Sequence, residues 1–224
     1  MRTVIFDLDG TLADTSADLI ASANHCFRAM GAGDVLDPVA DAATAFHGGR
    51  AMLSLGLTRL EKHSDGEVER WYPELLAAYG AAIDVHTTLY PGAMQAVTAL
   101  RDAGVRVGIC TNKPERLADT LLTRLGVRDA FASMIGADTL PVRKPDPAPY
   151  VAAVERAGGS VAQSCLIGDT TTDRETARAA GVPCVLVTFG PTGGDVAALE
   201  PEELLAHYDD LPALVARLLP VVAA

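Results

Sequence analysis

The stretch Val4-Ile5-Phe6-Asp7-Leu8-Asp9-Gly10-Thr11-Leu12-Ala13-Asp14 decides how the rest of the chain is read. Thr3 to Phe6 are β-branched or apolar and spell a short buried strand. Two acids at alternate positions then end the apolar run, and Gly10-Thr11 marks a turn. Carboxylates closing a buried strand are costly unless a cation or a proton compensates them. Taken alone, Asp-x-Asp-Gly reads as a strand that stops at a capped, solvated turn. Whether it is a site depends on what the remaining strands bring beside it.

Working outward, Leu19, Ile20, Ala23, Phe27 and Met30 fall at helical spacing over Ser16 to Met30, and Gly31-Ala32-Gly33 ends the helix. From Asp37 to Ile83 nothing alternates like a strand. Helical patches run over Val39–Phe46, Arg50–Leu60 and Asp65–Tyr79. A block of helices placed directly after the first strand predicts a separate module, residues 15–87, inserted into a core of residues 1–14 and 88–224. Beyond it, strands and helices alternate. Strands are expected at Val105–Cys110, Met134–Gly136, Cys165–Ile167 and Cys184–Thr188. Helices are expected at Ala93–Arg101, Glu115–Leu125, Ala148–Ala157 and Arg174–Ala180. Gly190 and Gly193-Gly194 read as a flexible loop, and Glu202 to Leu219 as an amphipathic helical tail. The fold class is therefore α/β: a Rossmann-like, doubly wound parallel sheet with an inserted helical domain.

In such sheets ligands gather at the carboxyl ends of the strands. The residues just past each apolar run are Asp7 and Asp9, Thr111 and Asn112, and Asp169 with Asp173, while Lys144 lies in a loop that follows a strand. Topology alone would collect these polar groups in one crevice.

Bulk properties narrow the function classes. Of 224 residues, 49% are hydrophobic and 21% charged, enough for a buried core and unlike a disordered chain. The formal net charge of -11, with no Lys/Arg run, disfavours binding to nucleic acid or an acidic membrane surface. No apolar run approaches the roughly 20 residues of a membrane span. Met1-Arg2-Thr3 runs straight into the first strand, leaving no room for a signal peptide, so a cytoplasmic protein is expected. Cys26, Cys110, Cys165 and Cys184 lack metal-type spacing and read as core thiols.

Asp7, Asp9 and Asp169 converging on one crevice would repel unless they share a hard cation, and oxygen ligands of this kind describe a magnesium site. The Thr111 hydroxyl and Asn112 amide suit hydrogen bonds to phosphoryl oxygens, and Lys144 balances acids and phosphate together. Phosphoryl transfer is mostly positioning and electrostatic stabilisation, which these parts supply. Asp7 and Asp9 lie on the same side of an extended backbone, so one can attack phosphorus while the other handles the proton.

Asp7-Leu8-Asp9-Gly10-Thr11, Thr111-Asn112-Lys113, Lys144-Pro145 and Gly168-Asp169-Thr170-Thr171-Thr172-Asp173 resemble, in order, the four motifs of the haloacid dehalogenase superfamily of phosphatases. The resemblance covers essentially the whole chain. It implies Asp7 as nucleophile, Asp9 as general acid/base, and Thr111 and Lys144 as the groups holding the phosphoryl. It also implies Mg2+ on Asp7, Asp9 (through its backbone carbonyl) and Asp169, with Asp173 supporting the metal from behind or holding Lys144. The helical insert then corresponds to a cap that closes over substrate and excludes water.

Thr111-Asn112-Lys113-Pro114 and Ala137 to Pro147 look like the phosphoglycolate phosphatase branch of that superfamily. The implied reaction is hydrolysis of a small phosphomonoester, 2-phosphoglycolate first, by a monomer or homodimer. His47-Gly48-Gly49-Arg50 occupies the place of that branch's glycine-containing substrate loop. Arg50 is either a fork for a substrate carboxylate or a solvated residue at a helix start. A phosphosugar mutase, or a phosphatase for another metabolite, would use the same core. Dehalogenase chemistry is disfavoured because Asp9 is present, and a non-catalytic binding protein because no motif acid is missing.

Overall fold

The run Thr3–Phe6 forms a strand, β1, buried at every residue, as an unbroken apolar run at the centre of a parallel sheet requires. The computed structural model describes residues 1–220, and 221–224 lie outside it. After β1 come β2 (Ala13–Asp14), α1 (Ser16–Ala29), α2 (Ala42–Ala45), α3 (Gly49–Arg59), α4 (Asp65–Ala81), β3 (Thr88–Leu89) and α5 (Ala93–Asp102). Then follow β4 (Arg106–Cys110), α6 (Glu115–Arg124), β5 (Ser133–Ile135), α7 (Ala148–Arg156), β6 (Ser164–Gly168) and α8 (Thr171–Ala180). The last elements are β7 (Cys184–Val187), β8 (Glu203–Leu205) and α9 (Leu211–Leu218). The chain's contacts divide it into two units, Met1–Ala13 with Leu89–Ala224, and Asp14–Thr88.

The first unit is built on a six-stranded parallel sheet of order β5-β4-β1-β6-β7-β8. From β1 the chain builds β4 and β5 on one side, then returns to lay β6, β7 and β8 on the other. The winding reverses at β1, and a crevice opens at its carboxyl end. Phe6 sits level with Ile109 of β4 and Ile167 of β6, so the three strands end within one residue of the same height. One face is packed by Tyr150, Ala153 and Val154 of α7 and Ala177 of α8, against Ile5, Cys110, Leu166, Cys184 and Leu186. The Tyr150 hydroxyl meets Ser164 Oγ at 2.6 Å, which satisfies both polar groups inside this apolar layer. Val4, Phe6, Val107 and Ile109 alternate to the other face and are equally buried.

The tail departs from the expectation of a helix over Glu202–Leu219. Glu203–Leu205 instead pairs with β7 as the sixth strand, and only Leu211–Leu218 is α-helical. The backbone of β7 would otherwise present an unpaired edge, and Thr188 N donates to Leu205 O at 2.9 Å to extend the pairing. Glu202 turns back to accept from Cys184 N at 2.7 Å and to pair with Arg174. The glycines expected as a loop lead into a 3-10 turn, Gly193–Leu199. Helix α8 begins three residues earlier than expected, at Thr171, because Asp173 satisfies the backbone at its start.

The second unit, α1 to α4, packs around Ile20, Phe27, Met52, Leu53, Leu57, Leu75 and Tyr79. Gly56 is required there: a Cβ on it would stand 2.1 Å from Phe27 Cζ. Asp18, only 2% exposed, accepts from the backbone of His86 and Thr87 and from Thr87 Oγ1, tying the end of the unit to α1. A groove of about 670 Å³ in this unit, lined by Ile20, Asn24, Leu36, Pro38 and His86 among others, contains none of the expected site residues. All four cysteines are free and buried. Among the described residues, no helix is long and apolar enough to cross a membrane.

Candidate active site

Asp7 is the first residue past β1, and its N–H still donates to Ile167 O at 2.8 Å, so its position is set by the sheet. The chain then turns sharply. Gly10 takes φ +82°, where a side chain would be strained, and Gly10 N returns to Ala13 O at 2.9 Å. Thr11 Oγ1 donates to Asp169 Oδ1 at 2.9 Å, and the Tyr208 hydroxyl donates to Thr11 O at 2.7 Å. The loop carrying the acids is thereby tied both to the end of β6 and to the C-terminal segment.

Thr111, 3% exposed, follows β4, with its N–H donating to Ile135 O at 2.9 Å. Its hydroxyl oxygen accepts from Lys113 N at 3.2 Å, which leaves the hydroxyl proton to be donated elsewhere. Asn112 Nδ2 donates to Lys144 O at 3.0 Å, so one of its two amide protons shapes the lysine loop.

Lys144 is the buried cation at the centre. Its Nζ stands 2.6 Å from Asp173 Oδ1 and 3.0 Å from Asp7 Oδ1. The second oxygen of Asp173 accepts from Asp169 N at 3.2 Å, Thr170 N at 3.1 Å and Thr170 Oγ1 at 2.7 Å. Asp173 is thus fully occupied by protein groups, although a ligand oxygen of each of Asp7, Asp169 and Asp173 lies within 4.8 Å of the others. Gly168 makes room for it, since a Cβ there would fall 2.3 Å from Asp173 Cγ. Asp9 is held differently: Lys113 Nζ reaches its two carboxylate oxygens at 2.8 and 3.1 Å.

The electrostatics follow from burial. Burial pushes the Asp7 carboxyl up to about 6, with the charges of Asp173 and Asp9 adding to the effect and Lys144 opposing it. Burial likewise drives Asp169 well above the usual carboxylate range, helped by Asp173 and Asp7 and opposed by the Thr11 hydrogen bond. Burial works against the Lys144 ammonium, yet Asp173 and Asp7 outweigh it and hold its pKa above the usual lysine range.

These groups fit a divalent cation. Asp7 Oδ1 and Asp169 Oδ2 are buried without a hydrogen bond; Lys144 stands near the first, but outside hydrogen-bonding geometry. Among the described residues, the four acids Asp7, Asp9, Asp169 and Asp173 have two paired ammonium groups between them, Lys113 and Lys144, so ionising all four would leave two uncompensated negative charges in a buried crevice. Hard oxygen donors with that charge deficit suit Mg2+.

Of the residues expected from sequence, Asp7, Asp9, Thr111, Asn112, Lys144, Asp169 and Asp173 all lie in the sheet unit at the ends of β1, β4 and β6 or the loop that follows β5. Arg50 belongs to the helical unit, where Nε and Nη2 donate to Glu69 at 2.6 and 2.9 Å and the guanidinium lies 3.6 Å over the Tyr72 ring. Its fork is already occupied. The sequence gives no site role to Thr11 or Tyr208 and marks Lys113 only as part of the run Thr111-Asn112-Lys113. The Thr11–Asp169 contact was within reach of the same strand-end argument, whereas no spacing signals a bond between residues 113 and 9.

Fold and site together define a doubly wound α/β protein with an acidic, lysine-balanced crevice at its switch point. Residues 1–181 match the model of the haloacid dehalogenase-like hydrolases. The chain is 38% identical over 225 residues to the phosphoglycolate phosphatase of Agrobacterium fabrum, covering 98% of this chain and 95% of that one. It is 38% identical over 221 residues to the phosphoglycolate phosphatase of Rhodospirillum rubrum, covering 95% and 89%. In fold it resembles the crystal structure of a predicted phosphoglycolate phosphatase from Haemophilus somnus, with TM-score 0.84 at 24% identity over 96% and 97% of the two chains. The chain belongs to the haloacid dehalogenase-like hydrolase family.

Proposed function

We propose that this protein is a magnesium-dependent phosphatase that hydrolyses a small phosphomonoester, with 2-phosphoglycolate as its substrate, through an aspartyl-phosphate on Asp7. The observation that carries the reading is Asp7 itself: a buried carboxylate at a strand end, with one oxygen outside any hydrogen bond and a lysine 3.0 Å away. The choice of substrate rests on the names of relatives that match nearly the full length of the chain.

In this reading an Asp7 oxygen attacks phosphorus, a P–O bond to Asp7 forms, and the P–O bond to the leaving alcohol breaks. Asp9, which must enter this step protonated, gives that proton to the departing oxygen. A water then attacks the aspartyl-phosphate, Asp9 takes that water's proton, and inorganic phosphate leaves with Asp7 restored. The Thr111 hydroxyl donates to a phosphoryl oxygen, and Lys144 neutralises charge that accumulates between Asp7 and the phosphoryl group. Asn112 acts by holding the Lys144 loop, with its second amide proton available to substrate. Mg2+, when bound by Asp7, Asp169 and the Asp9 backbone, supplies electrophilic charge to the phosphoryl oxygens. The helical unit, residues 15–87, serves as the cap that closes over substrate. Four free thiols suit a reducing compartment, and a cytoplasmic setting is part of the proposal.

The test is phosphate release from a panel of small phosphomonoesters, with Mg2+ or with chelator, for wild type and Asp7→Asn. Release that needs Mg2+, prefers 2-phosphoglycolate and vanishes in the variant is expected. Release that survives Asp7→Asn overturns the nucleophile. A phosphosugar isomerised without net phosphate release moves the assignment to a mutase.

A further inference from the structure

Lys113 is the second ammonium of the site, and the reaction steps set out above give it no part. Its side chain is 3% exposed, while the Asp9 side chain that it grips is 20% exposed and so is the more open member of the pair. The grip is two-pointed: Nζ to Oδ1 at 2.8 Å and to Oδ2 at 3.1 Å. A single hydrogen bond would leave the carboxylate free to swing about it, whereas contact with both oxygens fixes the carboxylate's orientation. The backbone that carries the lysine is itself pinned. Lys113 N donates to Thr111 Oγ1 at 3.2 Å, and Lys113 O accepts from Ala137 N at 2.9 Å. Loop, lysine stem and carboxylate therefore form one rigid strut from the end of β4 to the loop after β1.

We propose that Lys113 is a positioning residue that sets the orientation of the Asp9 carboxylate toward the reacting oxygens. The assignment rests on the role given to Asp9 above. A proton-transferring carboxylate must be held within hydrogen-bond reach of the atom it serves, and misplacement by about 1 Å costs on the order of a hundredfold in rate. Lysine supplies the holding charge from a side chain that is itself buried. The effect is confined to turnover: the Lys113 side chain acts on Asp9, while Thr111 Oγ1 keeps the Lys113 backbone N–H, which a side-chain substitution leaves in place, and Lys144 keeps Asp173.

The test is a double-mutant cycle on the full chain with Mg2+ and 2-phosphoglycolate: wild type, Lys113→Met, Asp9→Asn and the double variant. Lys113→Met is expected to lower kcat by about tenfold to a hundredfold with KM within about threefold. In the Asp9→Asn background the same change is expected to cost less than about threefold, because nothing remains to be positioned. Lys113→Arg, which keeps the charge and a two-point grip, is expected to recover part of the loss; it also serves as the probe if Lys113→Met does not fold, in which case it must itself lower kcat through Asp9 in the same cycle. Equal costs in both backgrounds overturn the proposal, as does a raised KM with unchanged kcat, which would make Lys113 a substrate-binding residue. If Asp9→Asn turns over as wild type does, the Asp9 role falls and this inference with it; if only Lys113→Met and Lys113→Arg are silent, the inference alone falls.

Discussion

Lys144 Nζ and Asp173 Oδ1 lie 2.6 Å apart with side chains 2% and 0% exposed, so the site is organised about a wholly buried ion pair. Asp173 joins that pair to the start of α8 through three further hydrogen bonds from Asp169 and Thr170. Removing one partner of a buried pair leaves the other charge uncompensated. Asp173→Ala is therefore expected to cost about 3 kcal/mol of stability by urea denaturation, and at least a hundredfold in kcat because Lys144 and Asp169 both lose their anchor. Asp173→Asn keeps a capping oxygen and is expected to lose less stability than Asp173→Ala, while still losing most of its activity.

The acids that face the crevice predict how Mg2+ and pH act on stability. With Asp7 raised by burial from 3.8 to about 6, its burial is harmless below about pH 4, where it is protonated folded and unfolded alike. Between about pH 4 and 6 the unfolded chain ionises this group while the folded protein keeps it protonated, so metal-free stability falls across that window and levels off above it; Asp169, also raised by burial, adds a fall in the same direction. A cation that binds the ionised carboxylates offsets this cost. Mg2+ is expected to raise Tm by several degrees at pH 7.5 and by little at pH 5, as read by differential scanning calorimetry. Equal shifts at both pH values would show that these carboxylates do not hold it.

Asp169→Asn carries the same logic into the chain. The amide can keep the Thr11 hydrogen bond while removing one charge from the cluster. The metal-free variant is expected to melt above metal-free wild type at pH 7.5, to show almost no Mg2+-induced shift, and to be inactive on any phosphomonoester. This is the pattern of a site whose function is maintained at the expense of stability.

The convergence of the candidate site residues was largely legible because most of them sit where a strand stops; Lys144, in the loop after β5, and Asp173, in the first turn of α8, lie further on. Apolar runs such as Val107–Cys110 and Cys165–Ile167 announce buried strands, and the parallel topology then fixes which polar residues share an end. Contacts made by long side chains across the fold were not legible. The bonds from Lys113 to Asp9 and from Tyr208 to Thr11 depend on reach and on neighbouring loops, which no periodicity encodes. Glu203–Leu205 was misread for a related reason. Glu202-Glu203-Leu204-Leu205 fits one turn of an amphipathic helix, but an open β7 edge recruits it as a strand.

Packing in the helical unit gives a prediction in which two effects oppose. Gly56 lies inside α3, where alanine would gain up to about 1 kcal/mol of helical preference. The added Cβ would fall 2.1 Å from Phe27 Cζ, and Phe27 is fully buried and cannot swing aside. Overpacking of that kind costs about 1–3 kcal/mol, so Gly56→Ala is expected to destabilise on balance. Shortening the ring relieves the clash, and Gly56→Ala with Phe27→Leu should be more stable than the two separate costs imply. Additive costs in thermal unfolding would mean that the two side chains do not meet.

Arg50 poses the question of substrate choice, and its geometry gives a definite expectation. Its pair with Glu69 is exposed, 47% and 59% by side chain, and such pairs contribute at most about 1 kcal/mol. The weak pair could be exchanged for a substrate carboxylate, but the exchange leaves Glu69 and the Tyr72 face to find other partners, so little net gain remains. Arg50→Ala is expected to change Tm by no more than a few degrees and to leave the ratio of KM for 2-phosphoglycolate to KM for p-nitrophenyl phosphate within about threefold of wild type. The control is Glu69→Gln, which weakens the hold on the fork without removing it. A KM rise confined to the carboxylated substrate in Arg50→Ala, with a fall in Glu69→Gln, would instead make Arg50 the carboxylate-reading residue and Glu69 its competitor.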